Sequence, residues 1–216
     1  MRTIKGALLD MDGIMYDTEH LSTVVWTEVS QLYNRPLTQE QILSFRGSNK
    51  YDNCKKYLKW YPDDEDLYWE MRVERYRRFN EYIAKNGVPL KPGLYELLDA
   101  LKERNIPICV ATGTARDMAE LYWDETGVRP YLAASVCGGE VEKSKPDPEV
   151  FETAAAKLGL DPKDCLVLED SPNGVRAAHA AGCYTVMIPD ETQPDDELLP
   201  LCDKVLPSLL DVIGLL

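Results

Sequence analysis

Five short apolar runs of strand length recur along the 216-residue chain: IKGALLD (4–10), IPICVAT (106–112), LAASVC (132–137), CLVLED (165–170) and CYTVMIP (183–189). Around the later runs lie segments whose apolar residues return every three or four positions, as in GLYELLDALKER, ARDMAELYWDET, PEVFETAAAKLG and PNGVRAAHAAG. A strand that feeds a helix and then another strand must cross over the sheet. The alternation therefore predicts βαβ units and a parallel sheet, with helices on both faces. In such a sheet ligands belong at the carboxyl ends of the strands, in the crevice where strand order reverses.

The first two runs are separated by far more sequence than one crossover needs. Residues from about 18 to 88 read as helices throughout, in LSTVVWTEVSQLY, QEQILSF, NKYDNCKKYLKWY and EDLYWEMRVERYRRFNEYIAKNG. The expected organisation is a core domain made of 1–17 and 88–216, with a helical insert over 18–87. NGVPLKPG, with two prolines and two glycines, is the expected point of re-entry into the core. Trp26, Trp60 and Trp69 fall in the insert and predict a small bundle with an aromatic core. RVERYRR looks basic, yet Glu70, Glu74 and Glu81 interleave at pairing distance, so a solvated helix face is expected there.

The formal net charge of −13 argues against nucleic-acid or anionic-membrane partners, since both require a basic face that this sequence nowhere concentrates. An anionic substrate needs local positive charge to overcome that field. The six cysteines are scattered, without a Cys-x-x-Cys pair, and read as reduced thiols of a cytoplasmic protein. No apolar run approaches the length of a membrane span, and the stretch before the first aspartates is too short for a signal peptide.

The strand ends carry the chemistry. Asp10 and Asp12 lie two residues apart in LLDMDG, so both can look into one crevice. Two carboxylates that close repel unless a cation or a shared proton joins them, although an Asp-Gly turn with an incidental second acid remains open on this fragment alone. Thr112 and Gly113 end the second run, with Thr114 and Asp117 expected to form a capping box for the next helix. Lys145 precedes Pro146, whose ring restrains the lysine backbone. Glu169 and Asp170 close a very apolar run beside Ser171 and Pro172, which read as the cap and first residue of a helix.

Acid pair, hydroxyl, lysine and second acid pair, each at a strand end and in that order, resemble the haloacid dehalogenase superfamily of phosphatases and phosphomutases. The resemblance is to its branch with a helical cap after the first strand, covers essentially the whole chain, and implies an α/β Rossmann-like core with an inserted α-helical cap domain. It implies that Asp10 is the nucleophile, Asp12 the general acid and base, and that Thr112, Lys145 and the backbone at Gly113 hold the phosphoryl oxygens. It further implies a Mg²⁺ ion held by the Asp10 carboxylate, the Asp12 carbonyl, Asp170 and a water placed by Glu169. The expected substrate is a small phosphorylated metabolite, taken by a monomer or weak homo-oligomer through an aspartyl-phosphate intermediate. Specificity is expected from the cap, with His20, Arg46, Asn49 and Lys50 as candidate substrate-binding residues and Tyr16 and Tyr51 as further candidates to reach the leaving group.

Within the superfamily the alternative is a sugar phosphomutase of the β-phosphoglucomutase type. Where such mutases carry a histidine this chain has Ser22, and where their cap loop carries an arginine it offers Lys50 after Gly47. Both departures favour the phosphatase. A non-catalytic phosphate-binding module on this fold would be expected to lack one of the acids or the lysine, and none is missing. A Ser-His-Asp hydrolase has only His20 and His179 to draw on.

Overall fold

The computed structural model describes residues 3–45, 50–190 and 192–216. The apolar runs become β1 (Gly6–Leu9), β2 (Ile108–Ala115), β3 (Leu132–Gly138), β4 (Cys165–Glu169) and β5 (Tyr184–Met187). A two-residue strand, β6 (Lys204–Val205), adds to the edge. Pairing is parallel throughout, in the order β3-β2-β1-β4-β5-β6. β6 has no apolar-run signature because both its residues are exposed and its pairing with β5 needs only backbone groups.

Between the strands lie α5 (Leu94–Glu103), α6 (Arg116–Thr126), α7 (Glu149–Lys157) and α8 (Pro172–Ala180). Every residue of β1 and β4 is buried, as expected of central parallel strands covered on both faces. Leu8, Cys109 and Val167 pack with Phe151, Ala154 and Ala155 of α7 and Ala177 and Ala178 of α8. The small alanine side chains let these helices sit close to the sheet. From β1 the chain builds outward through β2 to β3, then returns to β1's other side as β4. Strand order thus reverses at β1, and the crevice belongs at the carboxyl ends of β1 and β4.

The chain divides into two compact units, Met1–Asp17 with Leu90–Leu216, and Thr18–Pro89. The second contains α1 (Thr18–Leu32), α2 (Gln39–Leu43), α3 (Lys50–Leu58) and α4 (Glu65–Asn86). Thr38 and Gln41 close a reciprocal capping box at the start of α2. Trp26 meets Phe45 at 5.4 Å and stacks on Tyr68 at 6.2 Å, while Trp60 reaches Phe45 at 5.9 Å. Trp69 lies at the margin of this cluster and is half-buried. On α4 the solvated-face reading holds for Arg77, paired with Glu74 and Glu81, and for Arg78, paired with Glu74 and Glu28. All six cysteines are free, and five are buried. Among the described residues no helix is long and apolar enough to cross a membrane.

The loop from β3 to α7, which carries Lys145, is anchored by Glu140. Its carboxylate accepts from Arg116 Nε at 2.5 Å and from Lys157 Nζ at 3.0 Å. The Arg116 hydrogen bond first, then Lys157, holds the Glu140 carboxyl down at about 2. A folded-state value below the unfolded one means that the unfolded chain binds the proton more readily. The pair's contribution is therefore complete above pH ~4.5 and lost as pH falls toward ~2. Glu140→Gln should lower unfolding free energy by about 0.5–1 kcal/mol at pH 7, given the partial exposure of all three groups. Urea unfolding of both proteins at neutral and acid pH checks this: the gap should close on acidification, and a gap that persists unchanged would contradict it.

Candidate active site

Asp10 donates its backbone N–H to Leu168 O at 3.0 Å, which carries the β1–β4 ladder one residue further and sets Asp10 beside the end of β4. Asp10, Glu169 and Asp170 are all buried, and each offers a carboxylate oxygen within 4.8 Å of the others. Lys145, whose peptide bond to Pro146 is cis, enters from the β3–α7 loop. Its ammonium lies 2.5 Å from Asp10 Oδ1 and 2.6 Å from Glu169 Oε1, and donates to Ala111 O at 3.0 Å. All three N–H donors are thus engaged, and the Phe151 ring lies 5.0 Å from Nζ. A loop lysine that is uninformative in sequence becomes an oriented, nearly buried charge.

Glu169 is tied on both sides. Oε1 faces Lys145, while Oε2 accepts from Asp170 N and Ser171 N, each at 3.1 Å, and from Ser171 Oγ at 3.0 Å. Ser171 also caps α8 by accepting from Gly174 N at 3.0 Å, with Pro172 following as the sequence predicts. Two glycines make room for the acids. A Cβ on Gly174 would stand 1.8 Å from Glu169 Oε1, and one on Gly13 would stand 2.2 Å from Asp170 Oδ2. Gly13 also has φ +86°, a conformation that glycine adopts most readily, so the glycine of DMDG answers to the acid of another strand as well as to its own turn.

Asp12 is held from β2. Thr114 Oγ1 donates to Asp12 Oδ2 at 2.6 Å, while Thr114 N–H donates to Thr112 Oγ1 at 3.0 Å. This corrects the expected capping box at Thr114 and Asp117: β2 continues through Ala115, where it pairs with Gly138, and the N-cap of α6 is Ala115 with no side-chain cap bond. Thr114, bonded to both Asp12 and Thr112, is a candidate site residue that sequence reasoning missed, and its only signal is a second threonine just past Thr112. Thr112 itself is buried, and its hydroxyl accepts from Thr114, an arrangement that leaves its O–H proton to donate elsewhere. Gly113 is exposed at the same strand end. If Asp12 handles protons, Thr114→Val should cut turnover roughly 10-fold or more with KM little changed; steady-state kinetics decide, and unchanged kcat would remove Thr114 from the site.

The helical candidates divide. His20 lies in α1, and Lys50 and Tyr51 open α3. Arg46 and Asn49 lie outside the described residues. Tyr16 is corrected: it is fully buried, its hydroxyl pairs with Thr126 at 3.0 Å, and burial pushes it up to about 12.

Electrostatically, three carboxylates face one ammonium. Burial pushes the Asp10 carboxyl well above the usual carboxylate range; Lys145 opposes this, and Glu169 and Asp12 add to it. Burial likewise works against charge on Lys145, but Asp10 and Glu169 outweigh it and keep the ammonium protonated above its ordinary value. Burial dominates at Asp10, and the pocket also gathers several carboxylates around a single lysine. A divalent cation would relieve that crowding, and an all-oxygen donor set without histidine or thiolate suits a hard ion.

The haloacid dehalogenase-like hydrolase family matches residues 4–182. The "probable pseudouridine-5'-phosphatase" of Drosophila melanogaster is 34% identical over 220 residues, spanning 98% of this chain and 92% of the relative. A HAD family hydrolase from Deinococcus radiodurans R1, solved with bound phosphate and sodium, is 25% identical with a TM-score of 0.79, covering 100% of this chain and 99% of that one. A β-phosphoglucomutase from Clostridium difficile shares the fold at a TM-score of 0.77 and 21% identity, over 97% of this chain and 93% of its own.

Proposed function

The chain belongs to the haloacid dehalogenase-like hydrolases, and from that premise we propose that it is a Mg²⁺-dependent phosphatase of small phosphorylated metabolites. In this reading 1–17 with 88–216 form the catalytic core, and 18–87 act as a cap that selects the leaving group. The observation that carries it is the convergence of Asp10 after β1, Lys145 from the β3–α7 loop, and Glu169 and Asp170 at the end of β4 within one cluster.

Asp10 attacks the substrate phosphorus, forming an Asp O–P bond as the bond to the leaving oxygen breaks. Asp12 gives its proton to that oxygen, then takes one from the water that attacks the aspartyl phosphate, and the Asp10 carboxylate departs. Thr114 fixes the Asp12 carboxylate for both transfers. Lys145 orients Asp10 and, by giving up one of its three present acceptors, joins Thr112 and the Gly113 backbone N–H in meeting the phosphoryl oxygens. The Asp10 and Asp170 carboxylates and the Asp12 carbonyl would hold Mg²⁺, with Glu169 placing a water. When bound, the ion neutralises the carboxylates against an incoming dianion and supports charge on the transferring group.

The likeness to the pseudouridine-5'-phosphatase of D. melanogaster makes a nucleoside 5'-monophosphate the first substrate to try. Sugar phosphates are the second class. The test is a phosphate-release screen over both classes, glycerol 3-phosphate and phosphoglycolate, with Mg²⁺ and with chelator. β-Glucose 1-phosphate is included with a coupled readout for glucose 6-phosphate. Release that requires Mg²⁺ supports the phosphatase; glucose 6-phosphate formed faster than phosphate identifies a mutase instead.

A further inference from the structure

The β3–α7 loop that carries Lys145 exposes Glu142, Lys143 and Ser144, so burial does little to fix the approach to the lysine. Yet Lys145 Nζ meets Asp10, Glu169 and Ala111 O at once, at 2.5, 2.6 and 3.0 Å, which a loose loop would not hold. Polar ties must supply the constraint. Glu140, paired with Arg116 and Lys157, anchors the loop where it leaves β3. A second tie comes from the other side of the lysine.

Glu149, the first residue of α7, reaches back across the loop. Its Oε1 accepts from Glu142 N–H and its Oε2 from Lys143 N–H, each at 2.9 Å. Both bonds are charge-assisted, and a carboxylate that takes one bond on each oxygen fixes direction as well as distance. They close a short ring of backbone, 143–149, with Lys145 inside it, so few conformations remain to the lysine's own backbone. The clamp has a firm base: α7 lays Phe151, Ala154 and Ala155 against the sheet, and the Phe151 ring lies 5.0 Å from Lys145 Nζ. Asp147 ties the inside of the ring, accepting from Glu149 N–H at 3.2 Å and donating its own N–H to Ser144 O at 3.1 Å. A negative charge in a helix's first turn is favourable by itself. A side chain pointing into solvent would serve that role equally well, and it does not account for both carboxylate oxygens being spent on the amides of 142 and 143.

We propose that Glu149 is a positioning residue for the phosphoryl-transfer site: by holding the Glu142 and Lys143 amides it sets the backbone from which Lys145 reaches Asp10. Its kinetic consequence rests on the phosphatase reading, whereas the placement of the lysine does not. Displacing a reacting group by about 1 Å can cost on the order of 10²-fold in rate. Glu149→Gln keeps one acceptor oxygen and turns an NH2 toward the other amide, so about a tenfold loss is expected from it.

The test is a double-mutant cycle read beside chemical labelling. Glu149→Gln should lower kcat about tenfold in the wild-type background with KM within about twofold, but less than about twofold in the Lys145→Ala background, where the lysine it places is gone. Acetylation of the full chain with acetic anhydride, followed by mass spectrometry, reads the lysine without a substrate. Lys145 should react at least about tenfold faster in Glu149→Gln than in the wild type, while the exposed Lys163 reacts alike in both. Labelling needs only the single variant, so it decides alone if the double variant fails to fold. Wild-type labelling of Lys145 in folded Glu149→Gln, or an equal kcat loss in both backgrounds, would overturn the proposal. Faster labelling with no phosphate release from the wild type would instead refute the phosphatase reading and leave the placement of Lys145 by Glu149 standing.

Discussion

Asp10→Asn leaves a folded chain whose phosphate release is down by a factor on the order of 10⁴ to 10⁶, the scale on which loss of a covalent nucleophile is measured. The amide matches the carboxylate in shape but cannot form the Asp O–P bond, so only positioning and charge remain to the reaction. Folding should survive, because the substitution removes a buried negative charge from a cluster that holds too many. Lys145 keeps Glu169 and Ala111 O as acceptors. The melting temperature should therefore stay level or rise, since a well-packed neutral group can replace a member of a crowded charged site without loss. Phosphate release and a thermal melt on the same sample check both halves. Turnover near wild type in a folded variant would rule out Asp10 as the nucleophile.

Lys145→Ala should be the next most damaging change, and it should act on activity and stability together. Removing the ammonium deletes a charged donor to the reacting group and leaves Asp10 and Glu169 facing each other in a dry pocket. A loss of about 10²–10³ in kcat is expected from the missing donor. About 3 kcal/mol of stability should go with it, as for other buried pairs broken on one side. The pH dependence gives the mechanism away. Burial already holds the Asp10 carboxyl above its ordinary value, and Lys145 is the charge that opposes it. A folded-state value raised above the unfolded one contributes stability below pH ~4 that disappears as pH rises. The variant's deficit against wild type should therefore widen from acid toward neutral pH in urea unfolding. A deficit constant with pH would mean that Lys145 does not balance these acids.

Much of this arrangement is legible in the linear chain, for a physical reason. A buried parallel strand is almost wholly apolar, so the polar residue that ends it marks the sheet's carboxyl edge, and Asp10, Thr112, Glu169 and Asp170 all stand at such edges. Lys145 is not marked in that way; only its order among the other residues singles it out, and its burial comes from the Ala111, Asp10 and Glu169 acceptors that tertiary structure assembles. Thr114 is misread as a cap because strand extension by backbone pairing, Ala115 with Gly138, leaves no apolar signature. The close pass of Gly138 against Gly113 O, where a Cβ would stand 2.2 Å away, is equally silent in sequence. In the helical unit, Arg77 and Arg78 sit in a basic run, and only the fold shows that both pair with Glu74.

The buried oxygen cluster should take up one divalent ion, and calorimetric titration of Mg²⁺ into the wild-type chain and into Asp170→Asn tests this without a substrate. The predicted result is a single saturable site in the wild type, weakened at least about tenfold when a ligand carboxylate is replaced. Equal affinity in the two proteins, or no uptake by the wild type, would contradict it.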